Sequence, residues 1–112
     1  MIKVGKRVIA KNAEYCNSFF SKAIGLRFRK SPKSKGVIFT FDVPQKVIMD
    51  MWFVFYPIDV IFLDEKKRIV EINEGFSPFS FYSSKKNAKY IIEFEKGTID
   101  KHKIRIGYTL SF

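Results

Sequence analysis

Between Met51 and Asp64 the chain reads MWFVFYPIDVIFLD, an apolar band interrupted only by Pro57 and the carboxylate of Asp59. Neither a helical period nor strict alternation describes it, which predicts strands buried on both faces and joined at Pro57. In the second strand Ile58, Val60 and Phe62 share one face, and Asp59 shares the other with Ile61 and Leu63. A carboxylate on an apolar face is costly unless it is hydrogen-bonded or ion-paired. The fold must therefore cover this band and give Asp59 partners.

The remainder supplies short β segments. Of the residues, 17% are aromatic, with Phe at 13 positions. Ala and Leu are scarce, and this balance favours strands over helices. Ile2–Val4 and Val8–Ala10 flank a bend at Gly5, and further strands are predicted over 36–41, 46–51, 68–74, 88–95 and 104–112, the last bent at Gly107. One helix is predicted over about 17–25, capped by Asn17 or Ser18 and ended by Gly25, and a helical turn opens at Gly97-Thr98. The expected product is a single domain, residues 1–112. It is mainly β, a compact antiparallel sandwich or partly closed barrel of about eight short strands. Residues 76–84 form a loop carrying four aromatics, which must lie over the core or serve as a binding surface.

Charge narrows the classes of partner. Lys and Arg number 21 against 11 Asp and Glu, a formal net charge of +10. Such an excess attracts polyanions at low salt, and it is also what a merely solubilising Lys-rich surface looks like. A single cysteine, Cys16, excludes an internal disulfide, and with His102 as the one imidazole a zinc site is not expected. No cofactor is expected either, since nucleotide fingerprints and nucleophile elbows are missing. The apolar band is too short to span a membrane, and Met1 leads straight into Ile-Lys-Val without a signal-like apolar run. A cytoplasmic location is the expectation.

Several stretches carry a family likeness. Gly25-Leu26-Arg27-Phe28-Arg29, Gly36–Phe41, Pro57–Asp64, then Ala88–Glu93 with Gly97-Thr98-Ile99 and Ile106-Gly107 follow one another in order and spacing. Together they resemble the uncharacterised prokaryotic family called domain of unknown function 192, in an archaeal-type branch. The resemblance implies a compact β-sandwich with a small helix and no agreed activity. Many members carry Trp-Met-Lys-Asn-Thr before the Pro-Leu-Asp step; here the corresponding positions read Asp50-Met51-Trp52-Phe53-Val54. Any activity resting on that polar trio is not expected here.

Two functional readings follow. In the first the chain is a non-enzymatic binding module whose basic surface takes a polyanion, RNA or single-stranded DNA. Arg27, Arg29, Lys30, Lys33 and Lys35 meet the backbone, and Lys85 and Lys86 beside the aromatic loop extend the surface. In the second, Asp59, Arg29, Trp52 and Tyr82 converge on a cleft for a small molecule or carbohydrate, with hydrolysis as one use. Against that stands a structural Asp59, its oxygens accepting backbone amides or pairing with Arg29 or Arg27. A homodimer through an exposed strand or the aromatic loop is compatible with either reading.

Overall fold

In the computed structural model, residues 1–16, 35–51 and 54–112 are described. The helix expected at about 17–25 lies outside these residues. Among the described residues ten strands are formed: β1 (Ile2–Val4), β2 (Arg7–Ala10), β3 (Asn12–Cys16), β4 (Lys35–Gln45), β5 (Ile48–Asp50), β6 (Ile58–Leu63), β7 (Ile69–Phe76), β8 (Phe81–Ser83), β9 (Ala88–Glu95) and β10 (Leu110–Ser111). A short helix, α1 (Thr98–His102), follows β9.

The centre is a five-stranded sheet in the order β3-β4-β9-β6-β7, antiparallel throughout except for the parallel β3–β4 pair. All six residues of β6 are buried. The reason is its place: it is hydrogen-bonded to β7 and β9 at its edges and covered on both faces. One cover is the three-stranded sheet β10-β1-β2. Ile2, Ile9 and Leu110 from it pack with Ile38, Ile61, Leu63, Ile92 and Phe94 of the central sheet. On the opposite face Ile58, Val60 and Phe62 pack with Met51 and Val54, and Val47, Met49 and Tyr82 close over them. The last three belong to the two-stranded ribbon β5–β8 and its approach. The alternation expected within residues 58–63 is therefore realised, one face per core.

The result is a layered β structure whose sheets are not closed into a barrel. Three local expectations are revised. The first half of the apolar band is not a strand over its described residues, Val54 to Tyr56, but a connection that lays Val54 onto the core. The aromatic loop contains a strand, β8, because its residues 81–83 find a partner in β5. The last segment contributes only β10 and a bridge from Thr109 to Arg68, since residues 106–108 turn with Gly107 at φ +99°.

Turn chemistry fixes the connections. Gly5, at φ +60°, bends the chain between β1 and β2. Between β6 and β7, Asp64 Oδ1 accepts the amides of Lys66 (2.9 Å) and Arg68 (3.0 Å). The pairing of β6 with β7 is bulged twice: Leu63 faces Ile69 while Phe62 faces Glu71, and Val60 faces Asn73 while Ile58 faces Phe76. The extra residues re-aim the side chains and amides that lie beside them.

Candidate functional site

Asp59 is completely buried, and its carboxylate accepts three backbone amides: Gly75 (2.9 Å) on Oδ1, with Gly97 (3.0 Å) and Ile99 (2.9 Å) on Oδ2. Gly75 sits in the second bulge at φ +68°, and Gly97 follows β9 at φ +95°. Both conformations are open to glycine and strained for other residues. From β6, one side chain thus fastens the ends of its neighbours β7 and β9. These bonds are of the kind the structural reading of Asp59 requires. Its guessed partners Arg27 and Arg29 lie outside the described residues, as do Lys30, Lys33 and Trp52.

Tyr82 is not brought to Asp59. Asp59 projects on the face of Ile61 and Leu63, whereas Tyr82 packs on the other face, its ring 5.8 Å from that of Phe62 and 6.1 Å from that of Phe76. These two members of the expected cleft are separated by the sheet itself. The Tyr82 hydroxyl instead donates to Glu71 Oε2, and Glu71 Oε1 accepts the amides of Lys85 and Lys86, each at 2.9 Å. The hydrogen bond to Glu71, then burial and the carboxylate's charge, push the Tyr82 phenol up to about 12. Glu71 was not singled out in the sequence, because plain alternation from Ile69 aims it at the other core. The first bulge places it opposite Phe62 instead.

This buried carboxylate anchors a surface. In the ribbon, Ile48 pairs with Ser83, Met49 with Tyr82 and Asp50 with Phe81. Met49 and Tyr82 point into the core, so Ile48 and Phe81 point outward, 76% and 74% exposed. Lys46, Lys85 and Lys86 beside them are exposed. Two residues before Phe81, Phe79 adopts φ +54°, a strained conformation for a bulky side chain, and stacks edge-on against exposed Phe55 at 5.3 Å between centroids. Ser84 ties the ribbon's base, its Oγ accepting the Val47 amide at 2.8 Å and its own amide donating to the Val47 carbonyl at 2.8 Å. Of the aromatics in residues 76–82, Phe76 and Tyr82 therefore serve the core, and Phe79 and Phe81 the surface. Lys35 lies elsewhere, at the start of β4, with its ammonium 3.3 Å from Glu14. No group of His, Cys, Asp and Glu among the described residues is arranged to hold a metal ion. No described helix is long and apolar enough to cross a membrane.

The layered architecture recurs in solved structures. A protein of unknown function from Novosphingobium aromaticivorans superposes with a TM-score of 0.83 at 21% identity, over 89% of this chain and 74% of that one. A protein of Sinorhizobium meliloti 1021, named as a candidate transcription regulator, gives 0.82 at 25% identity, over 88% and 79%. Among sequences, a UPF0127 protein of Pyrococcus furiosus is 30% identical over 115 aligned positions, covering 100% of this chain and 97% of its own length. Another from Pyrococcus horikoshii is 32% identical over 91, covering 81% and 78%. The sequence model of the family described as Uncharacterized ACR, the domain of unknown function 192, matches residues 1–112. The chain belongs to this family, whose function is not established.

Proposed function

We propose that the chain is a binding module for single-stranded nucleic acid and that the outer face of the β5–β8 ribbon is its contact surface. The observation that carries this is Phe81, 74% exposed at the start of β8, a strand that runs past exposed Ile48, opposite Ser83, to the lysine pair Lys85–Lys86. Exposed rings supply stacking for bases of any sequence, and ammonium groups follow the phosphate backbone. A solubilising surface needs the lysines but gains nothing from exposing Phe81 and Ile48 on the same ribbon. The +10 net charge adds long-range attraction for such a ligand. The candidate-regulator name of the Sinorhizobium relative fits the same partner class.

The ribbon also suits the task mechanically. Its inner face is pinned by Tyr82 and by the Glu71 bonds to the amides of Lys85 and Lys86. The outer side chains are thus displayed from a fixed backbone, which lowers the entropic cost of binding. Fluorescence anisotropy with a labelled oligothymidylate tests the reading. Affinity should fall steeply between about 50 and 500 mM salt, and removing both Lys85 and Lys86 should lower the log–log slope by roughly 1.4, at about 0.7 per contact. Salt-independent affinity, or none at low salt, would remove this reading.

A further inference from the structure

A cavity of about 160 Å³ opens at the far end of β9 from the ribbon. The two places are separated by the length of the strand from Ala88 to Glu95, roughly 23 Å at about 3.3 Å per residue. Ile9 and Phe94 give the cavity an apolar wall, and Lys35, Lys96 and Lys101 lie on its lining together with the imidazole of His102. Glu95 is the lining carboxylate. Lys35 is partly satisfied by Glu14 at 3.3 Å, a half-exposed pair that solvent screens.

From this arrangement we infer that the cavity is an anion site, built for the phosphate group of a phosphorylated ligand. Positive groups gathered round a concavity with one lining carboxylate repel one another until an anion enters, and low-dielectric walls concentrate the resulting field. The wall that carries Lys101 and His102 is fixed from behind. Asp59 accepts the Gly97 and Ile99 amides from the buried side, and the Thr98 hydroxyl donates to the Glu95 carbonyl at 2.6 Å. The imidazole reports the same potential: burial first, then the charges of Lys101 and Arg7, hold His102 below its usual value. A phosphate bound beside it favours the imidazolium, as any neighbouring anion does. Phosphate fits better than a carboxylate because it offers more acceptor oxygens to several ammonium groups at once. Two sources supply that chemistry, a small phosphorylated compound or the terminal phosphate of a nucleic-acid strand.

His102 is the one histidine of the chain, so its ring proton resonances report this site alone. The experiment follows them by NMR at constant ionic strength while inorganic pyrophosphate, and separately a 5′-phosphorylated and a 5′-hydroxyl oligothymidylate, are added to the full chain. The expected result is a saturable shift with pyrophosphate or with the 5′-phosphorylated strand, accompanied by a raised His102 pKa; which of the two saturates first identifies the source. The exposed-side double substitution Lys35→Ala/Lys101→Ala should weaken the response about tenfold or more. Lys66→Ala, an exposed lysine outside the cavity lining, should leave the pyrophosphate response unchanged. No saturable shift up to about 10 mM of either phosphate, a weak limit on the affinity scale, overturns the assignment. So does a response that survives the double substitution, or one that is equal for the 5′-hydroxyl strand.

Discussion

The Gly97 amide donates to Asp59 Oδ2 across 3.0 Å, joining β6 to the turn that leaves its neighbour β9 in the central sheet. The same carboxylate takes the Gly75 amide from the other neighbour, β7, and the Ile99 amide from α1. Two family-like stretches, Pro57–Asp64 and Gly97–Ile99, thus meet in one hydrogen-bond cluster around a buried carboxylate.

Replacing Asp59 by Asn keeps the size but turns one acceptor oxygen into a donor facing donors. Asp59→Asn should lower stability by about 2–4 kcal/mol, the range for leaving buried amides unsatisfied. Urea unfolding followed by circular dichroism measures it. A loss below about 0.5 kcal/mol, the ordinary scatter of surface substitutions, would mean the amides find other acceptors.

Gly36 has no room for a side chain: a Cβ there stands 2.3 Å from Ile2 Cδ1 and 3.0 Å from Phe94 Cε1. Gly36→Ala should cost about 1–3 kcal/mol through overpacking. Because the nearest clash is with a terminal methyl, Ile2→Val should restore part of that loss in the double variant. Additive losses would place the strain in the Phe94 ring instead.

Tyr82 and Glu71 make a pH prediction. The phenol is neutral in the fold up to about 12, whereas an unfolded tyrosine ionises near 10.0. A raised folded-state value means that this contribution is fully present below pH 10 and is lost as pH rises from about 10 to 12. Ultraviolet absorbance should show one phenol ionising at about 12, and Tyr82→Phe should abolish that late step. Glu71→Gln should bring it down towards 10 and loosen the ribbon, seen as faster amide exchange at Lys85 and Lys86.

Much of this was legible from the residues. The faces of residues 58–63 followed from a period of two, and Asp59 stood out because a charge on an apolar face needs partners. What those partners are was not legible, since two of the three are amides of glycines at positive φ, one on β7 and one in the turn after β9, and amide direction leaves no mark in the side-chain pattern. Glu71 escaped for a related reason: the extra residue at Val70 reverses its face, and a bulge is not visible in alternation. Phe79 and Phe81 were readable as aromatic but not as exposed, because Phe76 and Tyr82 in the same stretch turn inward. Pairing of β8 with β5 decides between them.

The central claim is that the outer face of the β5–β8 ribbon binds single strands through Phe81. The direct measurement is the oligothymidylate affinity of Phe81→Ala at low salt, beside its urea midpoint. At 74% exposure the ring contributes little to the core, so the midpoint should not move. Affinity should fall about fivefold to a hundredfold, the worth of one base stacked on an aromatic ring. An unchanged affinity with an unchanged midpoint would contradict the account.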